Sequence, residues 1–303
     1  MYKTFICNFV VKLHADGMYT ISSDDGNGAV LSLEFANNDE DCVYEVEADR
    51  RINNRIPLLE YRSRIREYSN TNTTIYCLYE AQLHRRNSWD IESILSELSR
   101  KHELLTLPAI DAFESVQEEW NNDGKDVNWY KEPEIEKVIR AIDRVEFGQP
   151  VATVGGELLS RLITEHPFLN ANHRTSISYL EMYLSTYNPE FSMPTTGITG
   201  EWFDWAQEYV YSSKKIMTLA RKCGLLRWLR DYGYECVTRD GDNQIIFDEY
   251  DLDRRDYLDH YSNGLHLEES IAFVHGHLDR TNSPELFRTN DNGLEWFIRE
   301  LTD

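Results

Sequence analysis

Apolar side chains recur at helical spacing through the middle of the chain. The clearest stretch is an i, i+3, i+4, i+7 stripe that predicts one helix, formed by Ile135, Val138, Ile139 and Ile142. Two further stripes predict a pair of consecutive helices, around 158–163 and around 177–184. Earlier helices are expected near 91–98 and 110–120, and a long one over 201–229. The central part of the chain is therefore predicted to be helical.

Before this helical stretch the pattern changes to one typical of strands. Five short apolar runs are separated by clusters of Gly, Asn and Asp that favour turns, at 5–13, 18–22, 29–35, 43–47 and 74–79. A helix is expected within this series, over 56–68. After the long helix, residues 234–239 and 244–247 flank an Asp-Gly-Asp-Asn turn and predict a hairpin. Short helices near 267–275 and 294–301 are expected to close the chain.

These changes of pattern predict an α+β protein with three parts. The first is a β-rich N-terminal accessory domain with two or three helices over 1–125, and the second is a mostly α domain over 126–230. A small mixed C-terminal extension is expected over 231–303. The Asn- and Asp-rich segment 121–129 is the predicted linker between the first two parts.

Acidic residues dominate the charge of the chain. The 53 Asp and Glu residues outnumber the 31 Lys and Arg residues and give a formal net charge of −22. Because such a surface repels the phosphates of nucleic acids, direct binding to DNA or RNA is not expected. Only nine of the basic residues are lysine, and an acidic, lysine-poor surface is also typical of proteins from a high-salt cytoplasm. A halophilic source is therefore one hypothesis.

The five cysteines are scattered and form no C-x-x-C pair: Cys7, Cys42, Cys77, Cys223 and Cys236. An odd, dispersed set of this kind indicates reduced thiols rather than a disulfide framework. The apolar run 4–11 is followed by Lys12 and His14 without a small-residue cleavage site, which favours a strand over a signal peptide. No stretch has the length of a membrane span, so the prediction is a cytoplasmic protein that does not contact a membrane.

The strongest chemical signal is residues 166–175, which read His-Pro-Phe-Leu-Asn-Ala-Asn-His-Arg-Thr between two predicted helices. Backbone N–H groups in the first turn of the second helix would attract an anion, and the small Ala171 would let a phosphate approach them. Arg174 can donate two hydrogen bonds to phosphate, while Asn172 can either cap the helix or donate to the same group. His166 can deprotonate an attacking hydroxyl. The segment therefore predicts phosphoryl or nucleotidyl transfer.

The same residues resemble the signature of the Fic/Doc superfamily, H-x-F-x-[DE]-[GA]-N-[GK]-R. The chain matches it at His166, Phe168, Ala171, Asn172 and Arg174. Ile177 stands where AMP-transferases of this kind have a second arginine, which is similar to the Doc (death-on-curing) branch. The resemblance covers about residues 130–225. It implies a Fic/Doc-like helical domain that moves phosphate or AMP from ATP or another nucleotide to a hydroxyl on a target protein.

The resemblance also implies roles and partners. His166 and Arg174 would be catalytic, and the nucleotide would be held by Ala171, Asn172, His173 and Arg174. Doc proteins are the toxins of toxin–antitoxin pairs, which implies an antitoxin or another regulatory partner. The N-terminal domain is a candidate for that restraint within the chain itself.

Two positions depart from the signature. Asn170 stands where the family has an acidic residue that binds Mg²⁺, and an amide oxygen brings no charge, so metal binding at Asn170 is expected to be weak. His173 replaces glycine or lysine and can carry partial positive charge near phosphate. A second interpretation therefore stays open, in which a catalytically degenerate protein binds a nucleotide or a partner protein without turnover.

Purely structural roles also stay open for these residues. His166 can be a core histidine bonded to a backbone carbonyl, and Arg174 can form a salt bridge with Glu165 or Glu181. Four later histidines lie near acidic residues in a pattern that only weakly suggests a metal site: His260, His266, His275 and His277.

Overall fold

A computed structural model gives the structure of the chain. It describes the backbone of strands within 4–82, and backbone and side chains over most of 91–302. Short gaps interrupt that second part, at 123–132, 169–170, 194–200, 232, 240–242 and 282, and the side chains at 201–204 and 228 are not described. The strand predicted over 43–47 and most of the predicted linker lie outside the described residues.

The N-terminal strands are Thr4–Ile6 (β1), Phe9–Leu13 (β2), Tyr19–Asp24 (β3), Val30–Asn37 (β4), Tyr61–Ser69 (β5) and Thr74–Gln82 (β6). They pair antiparallel in the order β1-β2-β3-β4-β6-β5, with Leu33 opposite Tyr79. β5 replaces the helix that the sequence predicts over 56–68. The apolar residues of β5 are Tyr61, Ile65 and Tyr68, which recur at helical spacing. The pairing of β5 with β6 along the whole strand overrides this local preference.

Eight α-helices of six residues or more are described after residue 90. They are Ile91–Ser96 (α1), Arg100–Asn122 (α2), Ile135–Asp143 (α3), Val151–Glu165 (α4), Asn172–Ser185 (α5), Glu201–Asp231 (α6), His266–Arg280 (α7) and Leu294–Glu300 (α8). A one-turn helix at Tyr257–Asp259 and a π-helical turn at His260–Leu265 lead into α7, and 3₁₀ turns lie at Phe247–Glu249 and Pro284–Phe287. The three central helices predicted from apolar stripes are confirmed as α3, α4 and α5.

The predicted C-terminal hairpin is also confirmed. Its strands are Cys236–Arg239 (β7) and Asn243–Ile246 (β8), which pair antiparallel with Cys236 opposite Ile246. The Asp-Gly-Asp-Asn sequence predicts this connection because Gly, Asn and Asp tolerate the backbone angles of tight turns.

The fold class predicted from the sequence is wrong in its β-rich N-terminal domain and Fic/Doc-like architecture. From residue 91 onward 72% of the described residues are helical, and the sheet described there has only the strands β7 and β8. A domain needs a core of its own, and the N-terminal strands come without described side chains, so their pairing does not establish a β-rich domain. Where side chains are described, the chain is mostly α-helical.

Two compact units divide the chain, and each consists of two segments: 1–85 with 222–255, and 86–221 with 256–303. Helix α6 runs across the division, and its helical geometry is interrupted at Lys222, where φ is −129° and ψ is 19°. The second unit contains α1–α5, the first part of α6, α7 and α8, and it carries the candidate site. None of the described helices has both the length and the apolar character that crossing a membrane requires.

The core of the second unit forms around α4. Leu158 and Ile163 of α4 are fully buried, as is Tyr179 of α5. Phe168, just after α4, stacks on Phe113 of α2 with ring centroids 4.5 Å apart. The apolar stripes in the sequence are the faces that meet in this core, which is why they predict the helices correctly.

Two glycines allow α4 to approach its neighbours closely. A Cβ at Gly155 would lie 2.8 Å from Cδ1 of Leu180 on α5, and a Cβ at Gly156 would lie 2.6 Å from the Cα of Ile271 on α7. The leucine side chain can rotate away from such a Cβ. The backbone of α7 cannot do so unless the whole helix shifts. Gly156 is therefore required for the observed crossing of α4 and α7.

Gly156→Ala is expected to lower the free energy of unfolding by about 3 kcal/mol, because α7 must move away from α4 to admit the methyl group. Gly276→Ala is the matched control, since a Cβ at Gly276 of α7 would meet no atom within 4 Å. The control is expected to raise the same free energy by about 0.5–1 kcal/mol through helix propensity. Urea unfolding followed by circular dichroism measures both. Wild-type stability in Gly156→Ala would contradict the close crossing.

Candidate functional site

The candidate site is the turn between α4 and α5, residues 166–171. His166 follows the last residue of α4 with φ 52° and ψ 56°, and Ala171 precedes α5 with φ 59° and ψ 12°. These are the only residues other than glycine with positive φ in the described part of the chain. A left-handed backbone is unfavourable for residues with a Cβ, so packing around the turn must hold both of them.

Asn172 closes this turn. Its Oδ1 accepts a hydrogen bond from the backbone N–H of Phe168 at 3.0 Å, and its Nδ2 donates to the carbonyl of Phe168 at 2.8 Å. Asn172 is buried, and the ring of Phe168 is anchored on Phe113. On the other side, the backbone N–H of Glu134 donates to the carbonyl of Pro167 at 2.8 Å. Both functional atoms of the Asn172 amide thus bond the backbone of Phe168 to the start of α5.

Arg174 lies in the first turn of α5 and points toward α2. Its side chain is 11% exposed, and Nη1 lies 3.7 Å from Oε2 of Glu119. The guanidinium carbon is 6.0 Å from the ring centroid of Trp120, within the range of a cation–π contact. An ion pair is therefore present, but Glu119 is the partner, whereas Glu165 and Glu181 were the expected ones.

The two expected partners have other contacts. Glu165, the last residue of α4, pairs with Arg140 at 3.2 Å and with Arg144 at 2.7 Å. Glu181 accepts a hydrogen bond from the backbone N–H of Met193 at 2.7 Å. Sequence proximity misleads here because α2 brings Glu119 to Arg174 across 55 residues of chain.

His173 is neutral in this environment. Burial lowers its pKa to about 3, and the positive charges of Lys214 and Arg221 lower it further. Its Nε2 lies 2.8 Å from the hydroxyl of Ser213 on α6. The expected partial positive charge on His173 is therefore not supported, and its imidazole is a neutral hydrogen-bonding group.

A chain of buried hydrogen bonds continues from His173 into the unit. The hydroxyl of Ser213 lies 2.7 Å from Nε2 of His266 on α7, and Nδ1 of His266 lies 2.9 Å from the hydroxyl of Ser160 on α4. Ser160, Ser213 and His266 are each at most 1% exposed. Burial lowers the pKa of His266 to about 3, so this imidazole is neutral as well. We call Ser160, His266, Ser213 and His173 the histidine–serine relay.

Cationic side chains gather around the turn, although the whole chain is strongly acidic. The guanidinium of Arg221 donates to the carbonyl of Thr164, in the last turn of α4, at 3.2 Å. The charges of Lys214 and Arg221 both lower the pKa of His173. Arg174 is the next residue in the first turn of α5. The N-terminal end of α5, which carries the positive end of the helix dipole, thus lies among positive charges.

The sequence matches a family of unknown function (DUF8172) over residues 19–303. The chain belongs to that family. No curated protein and no solved structure matches it. The resemblance to the Fic/Doc superfamily over 130–225 is therefore wrong as a family assignment, because DUF8172 is the family that spans this segment.

The structure gives a physical reason for the misleading motif. Two of its five matching residues, Phe168 and Asn172, anchor and close the turn in this DUF8172 chain. Both side chains therefore have local packing and hydrogen-bonding roles in this chain. Short motifs of this kind therefore specify a local geometry more strongly than they specify a family.

The predicted site residues lie together as far as they are described. His166, Ala171, Asn172, His173 and Arg174 all belong to the turn or to the first turn of α5, and His166 is partly exposed. Asn170, the predicted weak metal position, lies outside the described residues. Ser213 contacts His173 and Glu119 contacts Arg174. The sequence does not indicate these two contacts, since Ser213 and Glu119 lie on other helices.

The later histidines form no metal site in the part of the chain that the structure describes. No group of three His, Cys, Asp or Glu side chains there could hold a metal ion. The His275 ring packs edge-on against Phe287, with ring centroids 5.1 Å apart. His277 is buried beside Trp205, with ring centroids 4.8 Å apart, and its pKa is lowered to about 4 by burial. His266 belongs to the relay, so the weak metal prediction has no support.

Proposed function

We propose that this DUF8172 chain binds the phosphates of a nucleotide at the α4–α5 turn and transfers phosphate or AMP to a hydroxyl on a target protein. The observation that carries the proposal is the turn itself. His166 and Ala171 adopt left-handed backbone there, and the Asn172 amide bonds Phe168 to the start of α5. Lys214 and Arg221 act on the neighbouring His173. A fixed helix N-terminus of this kind favours an anion without reorganisation during the reaction.

The roles of the side chains follow from their places. His166 is the proposed general base, because it lies at the partly exposed start of the turn. Arg174 is the proposed charged donor to phosphate, and Ala171 leaves the backbone accessible at the start of α5. Asn172 acts through the backbone, since both of its functional atoms bind Phe168. The target protein, and any antitoxin-like or regulatory partner, belong to the same proposal.

A second candidate function is nucleotide binding without turnover. The ion pair between Arg174 and Glu119 favours it, because a carboxylate then competes with phosphate for the same guanidinium. Transfer needs Arg174 to leave Glu119 for the nucleotide, whereas a binding protein can tolerate weak or partial contact. The two functions therefore predict different consequences when Glu119 is neutralised.

Calorimetric titration with ATP, with and without Mg²⁺, tests the shared part of both functions. Arg174→Gln is expected to weaken ATP binding about tenfold or more, because it removes a charged hydrogen-bond donor to phosphate. Glu119→Gln is expected to strengthen binding severalfold, since it removes the competing carboxylate. Glu118→Gln changes the net charge equally on the exposed side of α2 and is the matched control.

The controls distinguish the effect of the Arg174–Glu119 contact from the effect of the net charge of the chain. If Glu118→Gln and Glu119→Gln strengthen ATP binding equally, the effect comes from the net charge and the role of the ion pair is contradicted. If Arg174→Gln binds ATP as tightly as the wild type, Arg174 is not a phosphate ligand. The absence of ATP binding by the wild type under every metal condition would contradict both functions.

A further inference from the structure

Helix α7 buries two histidines on one face. His266 is its first residue and His277 lies about three helical turns later, so both side chains leave the helix on the same side. His266 has no exposed surface, and only 4% of His277 is exposed. The helix packs on α4 at Gly156 and on α6 through both histidines. The packed face of α7 thus carries a titratable group near each end.

The neighbours of His266 are uncharged hydroxyls. Its Nδ1 lies 2.9 Å from Oγ of Ser160 on α4, and its Nε2 lies 2.7 Å from Oγ of Ser213 on α6. Ser270, one turn later in α7, is bonded to the hydroxyl of Tyr209 on α6 at 2.8 Å. A neutral imidazole, which donates one hydrogen bond and accepts another, matches such hydroxyls. A charged imidazole would be buried there without a counter-charge.

The neighbours of His277 are aromatic rings. Its ring centroid lies 4.8 Å from that of Trp205 on α6, 6.2 Å from that of Phe273 on α7 and 6.3 Å from that of Phe191. Neither ring nitrogen has a hydrogen-bond partner among the described residues. Burial removes the water that would solvate a protonated imidazole, and aromatic faces replace that solvation only in part. The packing around His277 therefore favours the neutral ring as well.

The charged groups that act on these two histidines are cations. Arg221 of α6 acts on His266, and Arg280 of α7 acts on His277. No carboxylate acts on either imidazole in the part of the chain that the structure describes, and His173 of α5, which interacts with His266, is neutral. Burial, together with these cations, lowers the pKa of His266 to about 3 and that of His277 to about 4, from an ordinary value of 6.5.

A conformation with α7 released into water would restore the ordinary pKa of both imidazoles. Protons therefore bind more tightly to the released conformation than to the packed one. The packing of α7 is fully favoured above about pH 6.5 and is weakened as the pH falls from there toward about 4.

We propose that α7 is an acid-sensitive helix, which is released from α4 and α6 when His266 and His277 are protonated. The inference does not depend on the proposed function. Release breaks the hydrogen bond between His266 and Ser213 and exposes the aromatic rings around His277. The π-helical turn at His260–Leu265 joins α7 directly, and turns of this kind are rare and frequently lie at functional sites.

Hydrogen exchange of the full chain, followed by mass spectrometry from about pH 7.5 to about pH 4.5 and corrected for the chemical exchange rate, tests the release. Each histidine is expected to raise the opening constant of α7 about tenfold per pH unit below about pH 6, and the two together about a hundredfold. His277→Phe keeps a ring in the same place, and His266→Gln keeps a donor and an acceptor. Each is expected to lose one tenfold factor. His275→Phe is the matched control on the exposed side of α7 and is expected to keep both factors.

The difference from the wild type is the quantity to compare, because carboxylates elsewhere titrate equally in all four proteins. If His277→Phe keeps the full pH dependence of the wild type, the role of the buried histidines is overturned, and this result stands alone if His266→Gln does not fold. An equal loss in His275→Phe and His277→Phe would overturn the assignment to the buried face. If α2 loses protection in acid to the same extent as α7, the whole unit opens and the release of α7 is overturned.

Discussion

Asp291→Ala is expected to lower the free energy of unfolding by about 4 kcal/mol, because it leaves several buried donors without an acceptor. The Asp291 carboxylate is buried, and its Oδ2 accepts from the hydroxyls of Tyr183 and Tyr187, each at 2.7 Å. Its Oδ1 accepts from the backbone N–H of Gly148 at 2.9 Å and of Gly293 at 2.7 Å. Four donors therefore depend on one side chain.

The two tyrosine hydroxyls are poorly accessible to water. Burial raises the pKa of Tyr183 and Tyr187 above the ordinary value, and the interaction with Asp291 raises it further. Both hydroxyls consequently stay protonated and donate over the whole physiological pH range. After removal of the carboxylate, Tyr183 would keep a buried hydroxyl with no acceptor in its place, which is the main part of the expected cost.

Urea unfolding of the wild type and three variants measures this effect. Asp279→Ala is the matched control, since Asp279 is exposed on α7, and its free energy of unfolding is expected to stay within about 0.5 kcal/mol of the wild type. Asp291→Asn is expected to fall between the two, because an amide keeps the shape but replaces one acceptor oxygen with a donor. A loss of less than about 1 kcal/mol in Asp291→Ala would show that the four donors find other acceptors.

The segment around Asp291 is also bonded to the start of α4 through backbone hydrogen bonds. The backbone N–H of Val151 donates to the carbonyl of Thr289 at 2.9 Å, and that of Asp291 donates to the carbonyl of Gln149 at 2.8 Å. The segment before α8 is thus bonded to the start of α4. These contacts join residues far apart in sequence, and no local pattern indicates them.

The sequence predicts the central helices well because burial leaves a periodic trace. Each of α3, α4 and α5 buries one face in a common core, so its apolar residues recur every three to four positions. The β7–β8 hairpin is predictable for a different reason, since its turn residues are chemically distinctive. Both signals are local, and a single sequence contains all the information they need.

The partners of the candidate site residues could not be predicted in this way. His173 meets Ser213 on α6 and, through it, His266 on α7, and these contacts depend on how the helices pack. Arg174 meets Glu119 for the same reason. The sequence therefore locates the turn but not its surroundings. The incorrect family assignment has a similar origin, because nine residues describe a turn and not the chain around it.

His166→Ala is expected to reduce transfer from ATP at least a hundredfold, the usual contribution of a general base. The imidazole is proposed to take the proton of the attacking hydroxyl, and alanine offers no acceptor. His275→Ala is the matched control, since His275 is exposed on α7 and its ring packs against Phe287, and it is expected to leave transfer unchanged. Equal losses in both variants would indicate damage to the fold, which circular dichroism detects independently.

The most direct test of the central claim is label transfer from α-³²P-ATP and γ-³²P-ATP to proteins of the source cell, with Mg²⁺ or Mn²⁺, at low and high salt. We expect labelled protein that disappears in His166→Ala and persists in His275→Ala. Label from the γ position would identify phosphate transfer, and label from the α position would identify AMP transfer. If wild-type protein that binds ATP labels no protein from either position, transfer is contradicted and nucleotide binding without turnover takes its place.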